Sequence, residues 1–337
     1  MRARSSAWRS HARAGLASAL LLWAGGGHVE AQVVKVGPGS SLSPPTLESV
    51  TPYVALERGL FKKYGLDADM VAFRGGATNM KALLAGEVDV ALDMGATDAM
   101  VAASKGARIR VWMVPQPILP YHFVARREAG TTLQALLGKN VAVSRVGAIS
   151  YHTPRVILER GGIDPDQVKY VAVGSPADRF RALLAGKVDA TMVNSLEAAK
   201  LGKHPEIVDL VSVPKVLPEI PYQVSTAREE YLERNAETIL RMTKALVEAN
   251  RWIAANKAGT VAILAKIAKD EPAEVLARSY DLADPRLWGV NGDIREDGYK
   301  FTSAFLLRVG SVKDPVPFDR YFDRRFVDEA LKELGRM

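Results

Sequence analysis

Short apolar runs bounded by glycine or proline alternate along this chain with segments whose apolar residues recur every three or four positions. The first pattern suits buried strands and the second suits helices with one covered face. Strands are predicted over 33–37, 88–92, 109–114, 140–144, 188–193 and 208–213, and helices over 52–64, 77–85 and 149–159. Beyond Gln223 the pattern becomes mainly helical. Ile239, Leu240, Met242, Leu246, Val247 and Ile253 mark a long helix over 236–255, with shorter ones over 261–268, 273–282, 294–307 and 325–334. Trp252, Trp288 and Phe305 in this tail read as core or cover.

One stretch occurs twice. Ala82-Leu83-Leu84-Ala85-Gly86-Glu87-Val88-Asp89 returns as Ala182-Leu183-Leu184-Ala185-Gly186-Lys187-Val188-Asp189, and Val71-Ala72-Phe73 aligns upstream with Val171-Ala172-Val173. Each copy reads as strand, helix, glycine stop and second strand, a βαβ unit whose parallel strands require a right-handed crossover. Asp89 and Asp189 hold the same place in both copies, which points to a structural task. Two such units predict two similar α/β lobes.

Proline-rich segments near 115–121 and 214–222 bracket the second copy. Proline stiffens a connector and withholds a strand hydrogen bond. The expected fold is therefore α/β and two-lobed. Two Rossmann-like lobes are joined by two hinge crossings, and the helical tail packs on the first lobe. The divisions are residues 1–31 as a leader, 32–120 as the first part of lobe 1, 121–222 as lobe 2, and 223–337 as the return to lobe 1.

The leader follows from Arg2, Arg4, Arg9 and Arg13 before an apolar run over 16–24, with Val29-Glu30-Ala31 as a small-x-small processing site. That order is a secretory signal, cleaved near Ala31, and it predicts a secreted protein. The net charge is +7. Four arginines and one glutamate leave with the leader, so +7 less +3 gives +4 for the rest. The remaining charge is interspersed, which excludes a nucleic-acid stripe. The chain has no cysteine, and this removes disulfides, thiolate metal sites, a cysteine nucleophile and a lipid-modified N-terminal cysteine. Outside the leader the histidines are His122, His152 and His204, without the His-Glu-x-x-His spacing of a metal helix. Nucleophile-elbow, phosphate-loop and dinucleotide-binding motifs are missing as well. No catalytic residue, cofactor or metal is expected, and a monomer is.

In open α/β lobes ligands lie beyond the carboxyl ends of the strands, at helix starts. The loops falling there are glycine-rich and hydroxyl-rich. The first lobe offers Ser40, Ser41 and Leu42; Gly75, Gly76 and Ala77; and Met94, Gly95 and Thr97. The second lobe offers Arg145 and Gly147, Ser175, and Asn194. Tyr121 and Tyr222 flank the crossings. Backbone N–H groups at helix starts attract an anion, and Arg145 is the leading contact because a guanidinium grips carboxylate or sulfonate bidentately. A small organic anion is the first expectation for the ligand. A planar neutral or aromatic solute is the second, from the tyrosines and histidines near the crossings.

The residues then resemble a known family. Leu56-Glu57-Arg58-Gly59-Leu60-Phe61-Lys62-Lys63-Tyr64-Gly65-Leu66-Asp67 is similar to the "kGyFkkeGLdv" segment of the nitrate/sulfonate/taurine-type (SsuA-like) periplasmic binding proteins, grouped with the NMT1/THI5-like proteins. The segment 82–90 resembles their "aLlaGevDva", and 99–106 their "A…a.kG" helix. The resemblance implies a type II periplasmic binding protein fold, a periplasmic location, two lobes closing on a small-molecule ligand, and delivery to an ABC-type permease and ATPase complex. It matches Ser41, Gly76, Thr97, Arg145 and Ser175 to cleft positions. The alternatives it leaves are a pyrimidine ligand, a periplasmic sensor component, and, last, a pyrimidine-precursor synthase. The cysteine-rich signature of that synthase branch is missing from this chain.

Overall fold

In a computed structural model, which describes residues 31–39, 46–73, 76–218 and 220–337, the strand–helix alternation becomes two sheets. The first part of the chain runs β1 (Gln32–Pro38), α1 (Thr51–Glu57), α2 (Leu60–Lys63), β2 (Leu66–Met70), α3 (Gly76–Ala85), β3 (Val90–Gly95), α4 (Ala96–Ser104) and β4 (Ile109–Gln116). Then follow β5 (His122–Arg126), β6 (Asn140–Val143), α5 (Ile149–Arg160), β7 (Lys169–Ala172), α6 (Pro176–Leu184), β8 (Ala190–Val193), α7 (Ser195–Lys200), β9 (Ile207–Ser212) and α8 (Val213–Val216). The return comprises β10 (Gln223–Arg228), α9 (Glu229–Arg234), α10 (Ala236–Ala255), α11 (Lys257–Ile267), α12 (Ala273–Leu282), α13 (Glu296–Arg308), α14 (Phe318–Tyr321) and α15 (Arg325–Leu334).

The five-stranded sheets have the orders β2-β1-β3-β10-β4 and β7-β6-β8-β5-β9. In each, four strands run in one direction, and a single antiparallel strand, β10 or β5, lies between the repeat strand and the edge strand β4 or β9. This is the two-lobed α/β fold. Residues Ala31–Met337 form one compact unit.

The repeat explains the likeness of the sheets. Leu83 and Leu183 are both fully buried beneath their helices. Gly86 and Gly186 end those helices with φ of 79° and 69°, a left-handed backbone that a side chain would strain. Asp89 Oδ2 accepts from the Lys35 amide at 2.9 Å, and Asp189 Oδ2 from the Asn140 amide at 2.8 Å. Each aspartate thus ties its own repeat to the neighbouring strand.

Three differences from the sequence pattern stand out. The helix expected over 52–64 breaks at Gly59, whose φ is 66°. The upstream strand of the first copy ends at Met70, before Val71-Ala72-Phe73, although the Val71 amide still reaches Val36 at 2.8 Å as Val173 reaches Val143. The sequence pattern predicts no strand at β5 or β10, which lie beside the prolines, and β10 is the strand with which the return segment re-enters the first sheet.

The tail packs on the first lobe through α10 and α15, with α10 also against α1 and β4. It reaches the second lobe too. Helix α12 packs on α7. From α5, His152 meets Ser311 at 3.1 Å and Glu159 takes Arg308 of α13 at 2.8 Å. Among the described residues no helix is long and apolar enough to cross a membrane. The leader, apart from Ala31, lies outside the described residues.

Candidate functional site

The crossings lie side by side. The Tyr222 amide donates to the Gln116 carbonyl at 3.0 Å, and the Val213 amide to the Tyr121 carbonyl at 2.8 Å. The hydroxyls of Tyr121 and Tyr222 meet at 3.3 Å, with ring centroids 5.5 Å apart. Above this pair a cavity of about 410 Å³ separates the lobes, within the range of small-molecule clefts.

Four helices begin at its wall: α3 at Gly76 and Ala77, α4 at Gly95 and Thr97, α5 at Ala148 to Ser150, and α6 at Ser175 and Pro176. A helix start presents unpaired N–H groups and the positive end of its dipole, so four of them around one space favour an anion. The α6 start is shaped by a capping box, in which Ser175 Oγ accepts from the Asp178 amide at 3.1 Å and donates to its carboxylate at 2.6 Å. On α5, Ser150 Oγ takes the Ser144 amide at 2.9 Å, fixing the loop that carries Arg145.

Of the residues expected to hold a ligand, Gly76, Ala77, Gly95, Thr97, Tyr121, Arg145, Ser175 and Tyr222 line this cavity. Met94, Gly147 and Asn194 do not. Met94 is buried in the sheet, pointing into the apolar core. Gly147, with φ 82°, serves to turn the backbone before α5. Asn194 caps α7, where its Oδ1 accepts from the Leu196 and Glu197 amides at 3.1 Å, outside the cavity lining. Ser40, Ser41, Leu42 and Gly75 lie outside the described residues.

Two lining residues had no sequence signal drawn from them, Arg179 and Asp98. Arg179 is 2% exposed. Its Nη1 donates to the Gly174 carbonyl at 2.7 Å and its Nη2 to the Met192 carbonyl at 3.2 Å. Nε has no partner, and among the described residues the guanidinium has no ion pair. Burial lowers its pKa from the ordinary value, against attraction from Tyr121 and Glu197. A cation in that state gains more from an arriving anion than an exposed one does. The signal was its position: Arg179 stands four residues before buried Leu183, on the covered face of α6, while Arg181 points to solvent.

Arg145 is different. Its side chain is 61% exposed at the cleft rim, where Nη2 stands 3.4 Å from Asp98 Oδ1 of the opposite lobe. Burial raises the Asp98 pKa, and the attraction of Arg145 only partly offsets it.

Beside the cavity the lobes also touch directly. Glu48 Oε1, 1% exposed with its residue, accepts from the Ser195 amide at 2.8 Å. Nearby Glu197 is pushed up to about 7, by burial first and by Glu48, with Lys200 and Arg179 pulling the other way. Among the described residues no group of three His, Cys, Asp or Glu could hold a metal ion.

The sequence profile of the NMT1/THI5-like family matches residues 47–259. A Bacillus subtilis chain named as a binding protein, YtlA, is 22% identical over 298 residues, covering 83% of this chain and 86% of that one. The periplasmic aliphatic sulphonate binding protein SsuA of Escherichia coli has the same fold, with a TM-score of 0.71 at 19% identity over 85% of this chain and 95% of its own. The desulfurization enzyme DSZB also shares it, with a TM-score of 0.68 at 16% identity over 90% and 99%. The fold therefore serves binding proteins and at least one enzyme. With a family match over most of its length, two α/β sheets and a cleft between them, the chain belongs to the NMT1/THI5-like family and has the periplasmic binding protein fold.

Proposed function

We propose that the protein is a periplasmic receptor that binds a small organic anion, a carboxylate or sulfonate, and hands it to an ABC-type permease and ATPase complex. The observation that carries this reading is Arg179, a buried guanidinium without a carboxylate partner among the described residues, at the wall of a cavity ringed by helix starts. The anionic group sits at Arg179 and the α5 and α6 starts. Tyr121 and Tyr222 line the same space and give an apolar body something to rest on. The leader pattern over residues 1–31 and the names of similar proteins, among them a ligand binding component of an ABC-type import system, support transport. The chain has no cysteine, and among the described residues the cavity lining shows no paired nucleophile and base, which favours binding over turnover.

Calorimetry with short alkanesulfonates and alkanoates tests the reading. Reversible binding is expected, weakened by about 3 kcal/mol in Arg179→Gln, since a buried charged contact is lost. No heat from any anion, or equal affinity in the variant, would overturn it.

A further inference from the structure

The two walls of the cleft are not electrostatically alike. The lobe 2 wall carries Arg179, Arg145 and two helix starts. The lobe 1 wall also has two helix starts, but a carboxylate already stands there. Asp98, in the first turn of α4, places Oδ2 so close that a methyl on Gly95 would come within 3.0 Å of it and one on Gly76 within 3.4 Å. Its carboxyl thus fills the space where α3 and α4 begin, the position an anionic ligand would otherwise take on this lobe.

Resting on the anion reading above, we propose that Asp98 sets the charge pattern of the ligand. The anionic group goes to lobe 2, and the far end, facing Asp98, bears an ammonium or comparable cationic donor. Zwitterions are therefore preferred over plain monoanions, and dianions are rejected.

Arg145 is the internal stand-in for that donor. Its contact with Asp98 is long, at 3.4 Å, between side chains that are 61% and 43% exposed, a weak pair. The carboxyl meanwhile remains under-compensated, because desolvation outweighs Arg145. A ligand ammonium replaces Arg145 on Asp98, and the released guanidinium turns to the ligand's anion. One weak pair across the cleft becomes two closer ones. A dianion instead sets its second carboxylate against Asp98, and like charges in a partly desolvated site repel.

The test is a matched series titrated by calorimetry into the protein: alkanoate, ω-amino alkanoate and α,ω-dicarboxylate, at four and at six carbons, with propane-1-sulfonate and 3-aminopropane-1-sulfonate alongside. At the length that fits, the amino compound is expected to bind roughly tenfold or more tighter than the plain monoanion, the range of a charge-assisted bond, and the dicarboxylate weaker. Asp98→Asn, with Asp98→Ala as a second variant, should erase both differences, and the plain monoanion should bind more tightly because Arg145 is released to it. If plain and amino anions bind alike in the wild type, or if the preference survives in both variants, the role of Asp98 is overturned and the anion reading stands. If none of the series binds, the anion reading fails and this inference with it.

Discussion

At the residue scale, arginine location decides what arginine does. Arg145 was the leading candidate in the sequence, because it follows a strand and precedes a glycine loop. It does line the cleft, but at the rim and in water. Arg145→Ala should therefore weaken a plain monoanion by less than about 1 kcal/mol, as exposed ion pairs do. Calorimetry on that variant beside Arg179→Gln checks the ranking, and equal losses would refute it. Arg179 was illegible to a motif search because it sits in mid-helix between Asp178 and Phe180, a context shared by countless surface arginines. Only its register with Leu183 separates it from Arg181. Asp98 gave less warning still, since an acid in the first turn of a helix is ordinary capping chemistry. The glycines and Ser175, by contrast, were legible, because the loop chemistry that puts a helix start beside a ligand is local in sequence.

At the level of elements, the duplication carried most of the fold. Helix, glycine stop and aspartate recur because each unit must end a helix and anchor a strand in the same way. Asp89→Ala and Asp189→Ala should each cost about 1 to 2 kcal/mol by orphaning a strand amide. Neither should change ligand affinity, and thermal melts beside calorimetry would show this. Leu83→Ala and Leu183→Ala, both in fully covered positions, should cost about 2 to 5 kcal/mol each. What the pattern could not reveal were strands β5 and β10. Each is short, starts just after a proline-rich crossing, and draws its place from partners distant in sequence: His122 opposite Val193 and Ser212, Gln223 opposite Gly95 and Gln116. Pairing at that range leaves no periodic trace in so few residues.

For the molecule as a whole, Glu197 links protons to the contact between lobes. Its carboxyl is pushed up to about 7 in the folded chain from an ordinary 4.5. A raised acid stabilises the fold below the lower value and loses that contribution as pH rises through the higher one. The loss between about pH 4.5 and 7 is on the order of 3 kcal/mol. His152, lowered to about 4 by burial, acts in the opposite sense over much of the same window. The difference between wild type and Glu197→Gln in denaturant melts therefore reads the glutamate, and it should grow with pH in favour of the variant. A constant difference would show that Glu197 does not titrate there. The strand orders carry one last consequence, for the time course of folding. Every strand of the second sheet lies between residues 122 and 212, so that half can complete itself as soon as this stretch is available. The first sheet cannot: β4 borders only β10, and β10 ends at Arg228. A chain emerging from its N-terminus thus finishes its later half first, and its earlier half waits with an open seam until the return strand arrives.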